Sequence, residues 1–384
     1  MFRKAKQLVF IGCDIDPPRV LLVAFCLSKH EKTAELILHE QFDLRPEVDD
    51  VRLFQESLRA LEAFLRRISL ILKEVREIHI SLPYSAAQAD MYEFKMTRAN
   101  PAASITPEEL ALYWKSAKRA AARSYQDESE PFAHFPPELD HISLDGYRLL
   151  HNVAARGKEL AFSITLSAWP RMLEEELDHF KIRYPHLPIF LYPRISSIHE
   201  SVHFELGIDA SGVVFDIGEY ASGLLFYQGG VLAFERVFQF GGADLRRIVG
   251  KYFRLPEKSV AVLLSQWQEG RLLPETIKKL QEAMARTLDF WKREWQQALL
   301  EASKTVVVTP RFYVLGRYAS LPVWSAALQD PDWHAAFAAG SEAEVSILHP
   351  TDTVSAHFSG WPFHSPEDTV LFSLVSRIIQ KEMH

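Results

Sequence analysis

Residues 10–15 read Phe10-Ile11-Gly12-Cys13-Asp14-Ile15, and residues 213–218 read Val213-Val214-Phe215-Asp216-Ile217-Gly218. Each is an apolar run ending in Asp-Ile, then a tight tip, then a second apolar run, at 20–27 in one case and 224–227 in the other. A strand buried on both faces has this unbroken apolar character. A third β-rich run follows in both places, at 35–42 and at 231–240, and helical patterns come next. One device used twice predicts two related lobes facing each other in a duplicated α/β fold.

Outward from these runs the chain divides further. A helix is predicted over 51–72, with Leu53, Leu58, Leu61, Phe64, Leu65 and Ile68 on one face, and a buried strand over 78–82, closed by Pro83. Between 87 and 173 the pattern changes. A short strand at 91–96 leads to Thr106-Pro107-Glu108-Glu109, a helix start with Thr106 at the cap and Glu109 at the capping-box position. A loop at 126–140 and strands at 142–151 and 159–166 complete a strand–helix–strand–strand module. Further on come a helix at 169–180, a strand at 189–192, a long helix at 274–302, β-rich runs at 305–308, 311–315 and 344–348, and a last helix at 369–382. The expected division is lobe I at 1–86, completed by 174–194 and 366–384, an inserted module at 87–173, and lobe II at 195–365.

Composition narrows the function. The 384 residues are 48% hydrophobic and 24% charged, which excludes wholesale disorder, and a chain of this length suits two lobes better than one core. Lys+Arg is 43 against Asp+Glu 50, a net charge of −7, so no global basic field exists to draw in nucleic acid or an anionic membrane. The two cysteines, Cys13 and Cys26, form no CxxC pair; a disulfide scaffold and a cysteine zinc site are excluded, and a reducing cytoplasm is expected. The apolar run that starts at Leu8 ends at Asp14, too short for a signal sequence, and no uncharged apolar run approaches the ~18 residues of a membrane span. Any role at a membrane is therefore expected to run through partners or a surface contact.

With its two Asp-Ile tips, the sequence resembles the actin-like ATPase superfamily, in which two hairpin tips clamp nucleotide phosphates between the lobes. The resemblance is to the FtsA-like cell-division branch, with the PilM-type pilus proteins as relatives. It extends over nearly the whole chain: Leu144-Asp145-Gly146-Tyr147 and the strand at 161–166 match the family's inserted SHS2-type subdomain, Gly241-Gly242-Ala243-Asp244 follows the third strand as in the family, and Tyr313-Val314-Leu315-Gly316-Arg317 stands at the adenine-binding loop. The resemblance implies a nucleotide cleft containing Asp14, Asp216, Gly218, Gly241, Gly242 and Gly316, with ATP and Mg²⁺ as its cofactors. It also implies protein partners in division or pilus machinery, with self-association, at the inner face of the cell membrane.

The tips depart from the family in ways that oppose phosphate. Where the family has Asp-Ile-Gly and small hydroxyl residues, this chain has Asp14-Ile15-Asp16-Pro17-Pro18. Asp16 adds negative charge, and two prolines remove two N–H donors. The second tip keeps one glycine of three, in Asp216-Ile217-Gly218-Glu219-Tyr220. The charged pair that meets the nucleoside is replaced by the uncharged stretch around Val260 and Leu263, and the second glycine of the adenine loop is Arg317. The expectation is a non-catalytic or weakly nucleotide-binding actin-like scaffold resembling FtsA. A PilM-like pilus platform and a working ATPase are the alternatives.

Three other features carry weaker signals. His199-Glu200-Ser201-Val202-His203 spells H-E-x-x-H, which on a helix could hold zinc, but no third ligand follows; the expected role is a packing helix behind the second lobe's sheet. The cations Arg246, Arg247, Lys251 and Arg254, and Lys118, Arg119 and Arg123, are expected to be solvated faces. The last helix carries Leu371, Leu374, Val375 and Ile378 on one stripe; it follows Pro366-Glu367-Asp368 with no linker and is expected to be a core helix rather than a membrane anchor.

Overall fold

A computed structural model describes residues 8–28, 33–45, 49–71, 75–124, 131–149, 155–207, 209–330, 337, 343–350, 358–359 and 365–383. In chain order the elements are β1 (Leu8–Asp16), β2 (Arg19–Ser28), β3 (Thr33–Asp43), α1 (Asp50–Ile71), β4 (Val75–Leu82), β5 (Gln88–Thr97), α2 (Pro107–Ser124), β6 (Phe132–His134), β7 (Glu138–Leu144), β8 (Tyr147–Arg148), β9 (Glu159–Pro170), α3 (Arg171–Arg183), β10 (Ile189–Pro193), α4 (Arg194–Leu206), β11 (Gly212–Ile217), β12 (Ser222–Gln228), β13 (Val231–Phe238), α5 (Gly242–Phe253), α6 (Glu257–Gln268), α7 (Pro274–Ala302), β14 (Arg311–Leu315), α8 (Pro322–Leu328), β15 (Glu344–Ile347), β16 (Phe358–Ser359) and α9 (Thr369–Met383). Two compact units result: residues 86–183, and the remainder of the chain on both sides of them.

The larger unit contains two sheets built to one plan. One has the order β10-β4-β1-β2-β3-β16 and the other β13-β12-β11-β14-β15. In each, the Asp-Ile strand pairs antiparallel with its return strand, which pairs antiparallel with a third. On its other side each Asp-Ile strand pairs parallel with a later strand, and that strand with another. The echo seen in the sequence is thus a duplicated topology, and it sets Asp14 and Asp216 at equivalent ends of the strands β1 and β11.

Covered faces explain the apolar runs. Over β1 and β2 lies α9, whose Leu371, Phe372, Val375 and Ile378 join Phe10, Leu21, Val23 and Phe25 in one cluster. Gly12 is what lets the helix come so near: a Cβ there would stand 3.2 Å from Val375 and 3.3 Å from Leu371. On α1, the positions Leu53, Leu58, Leu61, Phe64, Leu65 and Ile68 are all buried, as the periodicity predicts. The second sheet's core is aromatic: Trp291 of α7 stacks on Trp324 of α8 at 5.2 Å, and Trp295 meets Phe215 edge-on at 4.9 Å. The turn between β12 and β13 uses Gly229 and Gly230, both at positive φ, as a two-residue hairpin requires.

The smaller unit is a sheet of order β5-β9-β7-β8, with β6 also on β9, covered by α2. Ala117 and Ala121 let α2 lie on Leu160, Phe162 and Ile164. The N–H of Glu109 donates to Thr106 Oγ1 at 3.2 Å, so the cap forms as predicted. The Glu109 carboxylate, however, pairs with both Nε and Nη2 of Arg98, at 2.9 and 2.8 Å, rather than closing a capping box. Arg98 also donates to the carbonyls of Ala103 and Gly157, tying the ends of β5, α2 and β9 together.

Five sequence expectations are corrected. The loop expected at 126–140 carries the short strand β6 at Phe132–His134 and the start of β7 at Glu138, because both pair with β9. Residues 174–183 belong to α3, which packs through Leu173, Leu177 and Phe180 in the smaller unit, against β6 and β9, instead of completing lobe I. Helix α4, expected with lobe II, packs mainly on α9, β10 and β4, because its apolar stripe of Ile195, Ile198 and Val202 is covered there. The strand β16 lies within 195–365 yet pairs with β3 of the first sheet. The β-rich run at 305–308 forms no strand; it begins in the turn that ends α7 and continues as loop. Residues 72, 126–130, 150–151 and 384 of the expected segments lie outside the described residues.

Candidate functional site

The tips of the two sheets meet at the ends of β1 and β11. Asp14 and Asp216 are fully buried, and Asp16 is nearly so. All three carboxylates face one side chain, Arg194, the first residue of α4. Its Nε and Nη2 grip both oxygens of Asp216, the latter at 3.1 Å. Its Nη1 lies 3.4 Å from Asp16 Oδ1 and 3.7 Å from Asp14 Oδ1. Tyr84 stands alongside, its ring 6.0 Å from the guanidinium carbon. Gly223 allows this: a Cβ there would be 2.1 Å from the Tyr84 hydroxyl. A second arginine, Arg19, pairs with Glu367 at 2.9 Å and with Asp16 at 3.8 Å.

Burial dominates the acid–base character of this cluster. It pushes the Asp14 carboxyl up to about 7, against the pull of Arg194, and Asp16 adds to the rise. Burial likewise raises Asp216, again opposed by Arg194. Neither Asp14 oxygen accepts a hydrogen bond from the described residues, so the guanidinium at 3.7 Å is its principal compensation.

A second cluster closes the neighbouring part of the cleft. Glu219, at the tip between β11 and β12, is buried, and it accepts from Tyr318 Oη and from Arg246 Nη1, both at 2.7 Å. Arg246 also reaches Glu257 at 3.1 Å. Arg246 is therefore an internal ligand of Glu219, and the expectation of a solvated face fails for it; nothing in its spacing on α5 separates it from Arg247, which pairs locally with Asp244. Beyond the cluster the cleft opens into a cavity of about 570 Å³, with Leu44, Lys258, Ala261, Leu264 and Arg317 among its walls.

The structure brings all six residues expected in the cleft to this region. A Cβ on Gly316 would stand 2.6 Å from Asp216 Oδ1, one on Gly241 2.5 Å from the Glu219 carbonyl, and one on Gly242 only 1.8 Å from the Tyr318 ring. Close approach, though, is made by the protein to itself. The N–H of Gly218 donates to the Ala221 carbonyl, that of Gly242 to the Gly218 carbonyl, that of Gly241 to Asp244, and that of Gly316 to the Pro366 carbonyl. A triphosphate needs free N–H donors and positive charge. Here the four glycine donors are taken and the tips present Asp16 and Glu219, so the residues do not fit a metal–triphosphate group.

Elsewhere, His199 and His203 lie on α4 with ring centroids 4.2 Å apart. A His203 ring nitrogen contacts the Gly230 carbonyl, and His199 stacks on Tyr227 at 5.6 Å. As the side chains stand, with Arg194 between the three carboxylates of the cleft, no group of three His, Cys, Asp or Glu side chains among the described residues is placed to hold a metal ion. Nor, among them, is any helix long and apolar enough to cross a membrane.

No protein-family model matches the sequence, and no curated protein sequence matches it. Solved structures do. The PilM–PilN type IV pilus biogenesis complex is similar at 15% identity over 98% of this chain and 99% of that one, with a TM-score of 0.64. The ethanolamine utilization protein EutJ from Carboxydothermus hydrogenoformans is similar at 11% identity over 97% and 91%, with a TM-score of 0.49. A Bacteroides thetaiotaomicron protein with an actin-like ATPase fold and unknown function is similar at 8% identity over 91% and 95%, with a TM-score of 0.42. With its duplicated sheets and paired Asp-bearing tips, the chain has the α/β fold of the actin-like ATPases.

Proposed function

We propose that this chain is a non-catalytic actin-like scaffold, which holds protein partners in place without turning over nucleotide. One observation carries the reading: the glycine N–H groups of the cleft, the donors a phosphate would use, are all engaged within the protein. The acidic tips point the same way. The likeness to PilM over nearly the full length of both chains supports a platform role in type IV pilus assembly, ahead of the division role that the motifs suggested. The smaller unit, in which strand β5 and helix α2 are followed by β7 and β9 with the short strands β6 and β8 beside them, supports the reading of an SHS2-type insertion that presents a partner surface. The protein acts in the cytoplasm and reaches the inner membrane through its partners.

Thermal denaturation in millimolar Mg-ATP tests the nucleotide part. A ligand at a hundredfold excess over its Kd stabilises by about 2.7 kcal/mol, a rise of several degrees in Tm for most domains. No rise is expected, and a clear one overturns the reading. Cross-linking and affinity purification from the native source tests the partner part. Pilus-assembly proteins are expected among the products, and recovery of division proteins alone would return the chain to the division role.

A further inference from the structure

Three carboxylates converge where the two sheets meet, and such a convergence needs a cation. Moving even one carboxylate out of water is costly unless it is paired, and three together repel. In this cleft the counter-charge is guanidinium: Arg19 faces Asp16 from one side at 3.8 Å, and one arginine reaches all three. Arg194 reaches Asp14 and Asp16 from the first sheet and Asp216 from the second, and is itself only 2% exposed. Its position on the chain shows that the helix is not the reason for its placement. It is the first residue of α4, and the N-terminal end of a helix carries partial positive charge, which disfavours a cation. The carboxylates must outweigh that repulsion.

We propose that Arg194 is the resident cation of this cleft: it takes the role a divalent metal would play among Asp14, Asp16 and Asp216, excludes such a metal, and holds the two sheets together without metal or nucleotide. Arginine suits this part. It stays charged at every relevant pH, and its fork grips one carboxylate through two nitrogens while the third faces the others. The cleft is consequently joined in a way that no chelator or nucleotide supply can alter. The proposal rests on the reading of the cleft as nucleotide-free, and it adds that the cation requirement is met from within the chain.

Manganese alone tests it, since a hard divalent cation favours carboxylate oxygen and free Mn²⁺ is counted directly by electron paramagnetic resonance. The full-length protein, Arg194→Lys and Arg194→Ala are titrated without nucleotide. Wild type and Arg194→Lys are expected to take up no Mn²⁺ at about 1 mM, and their melting temperatures should ignore both Mn²⁺ and EDTA. Arg194→Ala uncovers three carboxylates, so it is expected to bind Mn²⁺ at least about tenfold more tightly than wild type and to melt higher in its presence. Should Arg194→Ala prove unfolded, recovery of the fold when Mn²⁺ is supplied supports the proposal, and failure to recover overturns it. Stoichiometric Mn²⁺ uptake by wild type overturns it, as does a folded Arg194→Ala that binds no more than wild type. A wild-type protein that binds ATP but ignores Mn²⁺ alone would remove only the nucleotide-free reading.

Discussion

Replacing His79 with glutamine should change how the protein's stability responds to acid. His79 lies buried on β4, stacked on Phe190 at 5.0 Å and on Tyr192 at 5.7 Å. The neutral ring is satisfied on both sides: Tyr192 O–H can donate to Nδ1 at 3.0 Å, and Nε2–H to Glu77 at 3.2 Å. Arg377 and Lys381 of α9 lie over the Tyr192 and Phe190 rings. Burial, then Lys381 and Arg377, pull the imidazole from 6.5 down to about 3, against a smaller opposing pull from Glu382. Between these values the unfolded chain binds a proton and the folded protein does not. Stability from this group is therefore complete above about pH 6.5 and is lost as pH falls toward 3, at a limiting slope of about 1.4 kcal/mol per pH unit. From pH 7 to pH 5 the loss is about 2 kcal/mol. Asp14, raised by burial, contributes the opposite slope over part of this range, so the readable quantity is a difference. Urea unfolding of wild type and His79→Gln at pH 7, 6 and 5 supplies it, because Asp14 is common to both. The advantage of wild type over the variant should shrink by about 2 kcal/mol from pH 7 to pH 5. A difference that stays constant with pH refutes the reasoning.

Other substitutions probe the packing. Leu374 is fully buried on α9, so Leu374→Glu places an unpaired carboxylate in the core and should cost several kcal/mol, about 3 or more, seen as early melting or precipitation. An unchanged Tm together with loss of liposome binding would make α9 a lipid-docking helix instead. Gly242→Ala drives a methyl group into the Tyr318 ring and should lower stability by about 1–3 kcal/mol in urea, and an unaltered midpoint would mean that the ring is free to move.

The duplicated strands were legible because a strand covered on both faces must be apolar throughout, and because Asp14 and Asp216 end two such runs in the same way. The glycines that gather around the cleft were legible through the order of their motifs. Arg194 was not. It lies 180 residues from Asp14 and 22 before Asp216, and next to Pro193 it reads as an ordinary helix start. Its one local oddity is a cation at the helix end that disfavours it, a signal that makes sense only once the carboxylates are in place. Arg246 was missed for a related reason: its partners Glu219 and Tyr318 come from two distant loops, and the neighbouring Arg247 really is exposed. The module boundary erred at α3 because the apolar stripe of Leu173, Leu177 and Phe180 states that a face is buried without naming the sheet that buries it.

The seat of α9 on β1 has a consequence for synthesis. The ribosome makes Phe10, Val23 and Phe25 first, but the helix that covers them begins at Thr369. At 5–20 residues per second, roughly 20–70 s separate the emergence of that apolar face from the arrival of its cover. During this interval the β1–β2 hairpin presents an apolar, strand-forming surface to neighbouring nascent chains. Slowing translation between residues 25 and 369 should therefore lower soluble yield more than slowing it before residue 10.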